Sequence, residues 1–207
     1  SYPVPENYSY WNSLGAVLGS VFIVQCISGI FLSFDYIPEL QSAWESVYIT
    51  ITREVKYGWF FRYLHAVGAS FFFGILYLHA FRGFVNFGFR KFYVWYSGLC
   101  IYLLLIVAAF TGYVLPWGQM SFWALTVITN LVTAVPAIGS YLLSFVWGDL
   151  YISDITLRRI FAVHFTTPAI MAILIFAHII FLHDKGSSAI SNSSVSGANL
   201  LSFYPYF

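Results

Sequence analysis

The sequence predicts an all-α integral membrane protein: a bundle of four transmembrane helices, with short interfacial helices between the third and the fourth. Three observations carry this. Of the 207 residues, 60% are hydrophobic and only 8% charged, against roughly 25% charged in a soluble domain. Four apolar runs are each long enough to cross a hydrocarbon core, which takes about 20 helical residues. The charges gather between those runs. A net charge of +1 offers no footprint for nucleic acid, so the surroundings that composition implies are a lipid membrane.

Residues 1–12, two prolines among polar and aromatic side chains, suit the membrane interface. The first span, about 13–34, is free of charge. Residues 35–57 hold Asp35, Glu39, Glu45, Arg53, Glu54 and Lys56 and read as an external connection. The second span follows at about 58–85, a polar turn at 86–91 and the third span at about 93–115. Pro116 ends the third, because proline lacks an N–H and pushes the preceding residue out of the helical region. Residues 92–148 contain no charge, which is too long for one crossing. Prolines 116 and 136 cut off two short pieces, 119–131 and 140–147, better suited to lying in the interface than to spanning it. The fourth span is about 155–183, and a Ser/Gly/Asn-rich loop follows. The chain reads as one domain, 1–207. Cys26 and Cys100 lie inside apolar runs, where a disulfide is not expected, and no CxxCH occurs. No leader shaped like a signal peptide precedes the first span, and the missing initiator Met suggests trimming or an incomplete start.

Four histidines stand on the second and fourth spans: His65 and His79, His164 and His178. Both pairs are separated by fourteen residues, just under four helical turns, so each pair lies near one face about 21 Å apart. One intervening span makes the second and fourth helices parallel. Like therefore meets like: His65 with His164 at one depth, His79 with His178 at the other. Polar groups at membrane depth are costly and mark functional sites. Burial against neighbouring helices would account for one such histidine, but not for two pairs with the same spacing. The pattern points to axial ligation of two stacked metal centres. Without a CxxCH, haems there would be held without thioether bonds.

The glycines repeat the interval. Gly15 and Gly29 on the first span, and Gly98 and Gly112 on the third, are again fourteen apart. Close helix packing would explain any one of them. These helices run opposite to the histidine-bearing ones, so Gly29 and Gly112 fall level with His65 and His164, and Gly15 and Gly98 with His79 and His178. A four-helix bundle enclosing two planar cofactors accounts for the shared repeat. Arg62 and Arg82 each stand three residues outward from a histidine, on the same helix face. From there they can meet haem propionates or snorkel to lipid headgroups. Pro168 leaves the His164 carbonyl without its helical donor, with Thr166 or Thr167 at hand to cover it.

At this point the residues resemble a family. YGWFFRYLHAVGAS, YLHAFRG, GYVLPWGQMSFWALTVITNLVTAVPAIG and TLRRIFAVHF leading to HIIFLHDKGS are similar to the N-terminal, di-haem half of cytochrome b, the subunit of the respiratory cytochrome bc1 complex (complex III). The resemblance implies two non-covalent b-type haems, the low-potential one on His65 and His164 and the high-potential one on His79 and His178. It implies electron transfer between ubiquinol and ubiquinone pockets, coupled to proton translocation in a Q cycle, as part of quinol–cytochrome c reductase. The outer pocket would be bordered by Phe110, Gly112, Tyr113 and Met120; the inner would use His183 and Ser187, near Trp11, Gly15 and Gly19. Implied partners are the C-terminal half of cytochrome b (a separate chain or an absent portion), cytochrome c1, the Rieske iron–sulfur protein and other complex III subunits. The implied assembly is dimeric and sits in the mitochondrial inner membrane. Departures from the family pattern are Ala16, where serine is frequent, and Ala124-Leu125, where glycine followed by glycine or alanine is common. Leu125 is accordingly expected to protrude into the outer pocket or to turn toward lipid. A plastid-type cytochrome b6 would separate the second histidine pair by fifteen residues. A di-haem membrane anchor of another oxidoreductase would lack GYVLPWGQMSFW, and a transporter would need a broken helix or mid-membrane charge.

Overall fold

The computed structural model describes residues 3–5, 9–186, 200–202 and 204. Its four long helices are α1 (Leu14–Ser33, continuing a 3-10 turn at Tyr10–Ser13), α3 (Gly58–Val85), α4 (Phe92–Val114) and α7 (Asp154–Lys185). All four are long and apolar enough to cross a membrane. Between α4 and α7 lie α5 (Gln119–Asn130) and α6 (Gly139–Trp147), too short to span. A two-stranded antiparallel ribbon, β1 (Pro3–Pro5) with β2 (Leu200–Ser202), is a small addition to the helical fold.

The connection between the first two spans is more ordered than its charges imply. It winds as α2 (Ala43–Glu45) and then as a π-helix, Ser46–Glu54. Val55 N–H reaches back five residues to the Thr50 carbonyl at 2.9 Å, and the Thr52 hydroxyl donates to the Val47 carbonyl at 2.6 Å. Trp44 and Tyr48 stack with ring centres 3.8 Å apart. Glu39 pairs with Arg158 at 3.1 Å, and Leu40 N–H donates to Asp154 Oδ1 at 2.8 Å, so the connection is tied to the start of α7.

The spans pack as two close pairs, α1 with α3 and α4 with α7. Most side chains elsewhere on them are exposed and apolar, such as Ile23, Leu103, Ile173 and Phe176, as a lipid-facing surface requires. Two apolar cores hold the bundle. One gathers Leu18, Phe72 and Ile75 with Phe22 and Leu105. Phe22, Phe72, Leu105 and the buried Met171 each stand seven residues from both members of their helix's fourteen-residue pair. An apolar layer therefore separates the two histidine levels.

The second core, at the Pro116 end, joins Ala43, Val114, Leu125, Leu157 and Ile160. Pro116 releases the end of α4, Trp117 takes a left-handed turn (φ 51°), and the Leu115 carbonyl accepts from the Tyr36 hydroxyl at 2.7 Å. Burial raises the pKa of that hydroxyl and keeps it a donor. Leu125 lies wholly inside this core, at 0% exposure. It neither protrudes into an open pocket nor turns to lipid, because the face of α5 that carries it is the face packed on α4 and α7. Pro168 is accommodated within an unbroken α7. The Thr166 and Thr167 hydroxyls donate to the Ala162 and Val163 carbonyls, at 2.8 and 2.6 Å, rather than to His164. A hydroxyl on a helix reaches back four residues, which from 166 and 167 passes beyond position 164 to 162 and 163.

Candidate functional site

The four histidines meet in two pairs across the gap between the α1–α3 and α4–α7 halves. Ring centres of His65 and His164 are 6.2 Å apart, with planes at 83°. Those of His79 and His178 are 6.5 Å apart, at 66°. Two metal–imidazole bonds of about 2 Å each, with half a ring on either side, require roughly this separation. Among the described residues, no three His, Cys, Asp or Glu side chains cluster to hold a metal. Two facing nitrogens alone suit a metal that brings its own equatorial ligands, as haem iron does. The residues present fit two haems.

Each imidazole rests on a neighbouring helix at a glycine. A Cβ on Gly29 would stand 3.0 Å from His65 Cε1, and one on Gly112 would stand 2.5 Å from His164 Cε1. At Gly15 and Gly98 the distances to His79 and His178 are both 3.3 Å. The glycines are thus level with the histidines their spacing pairs them with. The group each one admits in this structure is the imidazole edge.

Nδ1 of three rings has a partner. Ser28 Oγ lies 2.9 Å from His65 Nδ1, and Ser97 Oγ 2.9 Å from His178 Nδ1. His164 Nδ1 is 2.8 Å from the Ala108 carbonyl and 3.4 Å from Thr111 Oγ1. With Nδ1 occupied, Nε2 is left for a metal, and such partners orient metal-binding imidazoles. The Gln25 amide also reaches this level, beside Gly68. With its nitrogen toward His65 it donates to the His65 carbonyl at 3.0 Å, stands 3.2 Å from His65 Nδ1, and accepts from Ala69 N–H at 3.2 Å. None of Ser28, Ser97, Thr111 or Gln25 stands out by charge or metal affinity. Their one sequence signal is adjacency, since Ser28, Ser97 and Thr111 each precede a glycine of the fourteen-residue set.

The remaining candidates are placed less uniformly. Arg62 lies over the Tyr48 ring at 3.9 Å and donates to Thr52 Oγ1 at 2.9 Å, so the π-helix already engages it. Arg82 donates to Asn12 Oδ1 at 2.9 Å, tying α3 to the start of α1 at the His79 level. Lys91 donates to the Gly186 carbonyl at 2.5 Å and so fixes the end of α7. Desolvation, and then the nearby Arg82 guanidinium, hold its pKa below the usual lysine range. His183 is exposed near the end of α7, and Ser187 lies outside the described residues. At the other end Tyr113 and Met120 are exposed, while Phe110 packs against the core that contains Leu125. The Tyr113 carbonyl accepts from Ser121 at 2.9 Å.

Residues 1–186 match the family described as cytochrome b/b6/petB. A curated cytochrome b from Acanthamoeba castellanii is 44% identical over 208 residues, covering 100% of this chain and 54% of that protein. A solved structure described as a hyperthermophilic respiratory Complex III superposes with a TM-score of 0.86 at 30% identity, covering 100% of this chain and 56% of its counterpart. The chain thus spans about half the length of the relatives it matches. On the matched residues and the shared four-span architecture, the chain belongs to the cytochrome b/b6 family.

Proposed function

We propose that this chain is the di-haem electron-transfer part of a quinol–cytochrome c oxidoreductase. The single observation that carries the reading is the two facing imidazole pairs at two membrane depths. His65 with His164 would hold the low-potential haem, and His79 with His178 the high-potential one. When bound, the haems supply one-electron chemistry. The chain's own residues do the rest. Glycines seat the imidazoles, hydroxyls and the Ala108 carbonyl orient three of them, and the Phe22–Phe72–Leu105–Met171 layer keeps water from between the levels. Electrons would pass from quinol oxidised near Tyr113 and Met120 to quinone reduced near His183 and Ser187, coupled to proton translocation. The chain spans about half of each relative, and the second half of cytochrome b, as a separate chain or as a further portion of this one, would complete it. Cytochrome c1, a Rieske protein, further complex III subunits and a dimer in the mitochondrial inner membrane belong to the same proposal. A redox difference spectrum of the purified complex should resolve two b-type components of unequal potential. One component, or none, would overturn the reading.

The glycine seats make a graded prediction. Alanine at position 112 places its Cβ 2.5 Å from the His164 ring, whereas at position 98 the gap is 3.3 Å. Overpacking a filled site costs about 1–3 kcal/mol, so Gly112→Ala should deplete the His65–His164 haem more than Gly98→Ala depletes the His79–His178 haem. The amplitudes of the two components in a redox titration measure this. Equal loss in both variants would mean that ring contact is not what these glycines provide.

A further inference from the structure

We infer that the residue preceding each seating glycine tunes the imidazole resting there, and that Leu14 is what sets the His79–His178 site apart. This rests on reading the four imidazoles as axial ligands. Ser28-Gly29, Ser97-Gly98 and Thr111-Gly112 share one construction. Each hydroxyl donates its only proton one turn back along its own helix: Ser28 to Val24, Ser97 to Tyr93 and Thr111 to Val107, all at 2.7 Å. Toward the ring it therefore presents lone pairs, and it accepts from Nδ1–H. The bonds are 2.9 Å at His65 and at His178, where the Gln25 and Val94 carbonyls also accept from the rings; at His164 the Ala108 carbonyl is the nearer acceptor, with Thr111 behind it.

The fourth seat has the same shape without the hydroxyl. A Cβ on Gly15 would stand 3.3 and 3.7 Å from His79 Cε1 and Nδ1, the same two distances found between Gly98 and His178. Leu14 occupies the position equivalent to Ser97 and packs against the Leu18–Phe72–Ile75 core instead. Among the described residues, the His65–His164 site thus has an Nδ1 acceptor on both rings and the His79–His178 site on one. Accepting the Nδ1 proton makes an imidazole a stronger donor, and a stronger donor favours the oxidised metal. The site with one acceptor should be the more easily reduced. Ser28, Ser97 and Leu14 are positioning residues in this scheme, since none touches the metal itself.

The test is a redox titration of b-type absorbance in the assembled complex, together with total haem content. Ser97→Ala should raise the midpoint of the His79–His178 component, and Ser97→Thr should restore it. Leu14→Ser should lower the same midpoint by supplying the missing acceptor. The expected change in oxidised-to-reduced ratio at fixed potential is about tenfold, or about 59 mV for a one-electron couple. Both variants at full haem content with unmoved midpoints would overturn the inference. If Ser97→Ala fails to hold haem, Leu14→Ser decides: a lowered midpoint supports tuning and an unchanged one refutes it. A wild-type complex without two b-type components would instead refute the axial-ligand reading beneath it.

Discussion

On the proposed di-haem reading, replacing His178 with leucine should remove one of the two b-type haems and leave the other in place. The two ring pairs lie at separate levels on either side of the apolar layer through Phe72 and Met171. Leucine approximates the volume of the imidazole but offers no lone pair, so His79 would face the iron alone. Ser28, Ala108, Gly29 and Gly112 are untouched, and the His65–His164 seats keep their partners. In the purified complex the b-type absorbance should fall by about half, with the higher-potential component missing. His65→Leu should give the complementary spectrum. Both components persisting in either variant would contradict the pairing.

The largest expected stability effect lies at Leu125. Its side chain is fully buried among Ala43, Val114, Leu157 and Ile160, and so joins α2, the end of α4, α5 and the start of α7. Truncating a buried leucine to alanine costs about 2–5 kcal/mol, more where the surroundings cannot collapse. Here Tyr36 is fixed to the Leu115 carbonyl and Leu40 to Asp154, which restrains collapse. Leu125→Ala should lower the thermal inactivation midpoint of the detergent-solubilised complex by several degrees, with both haems retained before heating. An unchanged midpoint would show that the site refills.

Spans, approximate boundaries and the level of each glycine and histidine were legible in the sequence, for one physical reason. A membrane helix must satisfy its own backbone hydrogen bonds and hide polar groups, so length, hydropathy and a fourteen-residue interval translate directly into depth. Counting crossings then sets direction, and direction pairs the rings. What depended on atomic contact did not follow. The winding of residues 46–54 into a π-helix arises from local hydroxyl and ring packing that charge content conceals. Arg62 is drawn onto Tyr48 and Thr52 because that helix folds back over it. Leu125 faces the protein because α5 leaves the Pro116 turn with that side against α4 and α7. The hydroxyls beneath the imidazoles lie on helices without histidines, so spacing along the histidine-bearing spans could not reveal them. Sequence alone determined which residues share a depth; only the tertiary structure decided which atoms touch, because contact depends on helix rotation and rotamer, to which a periodic pattern is blind.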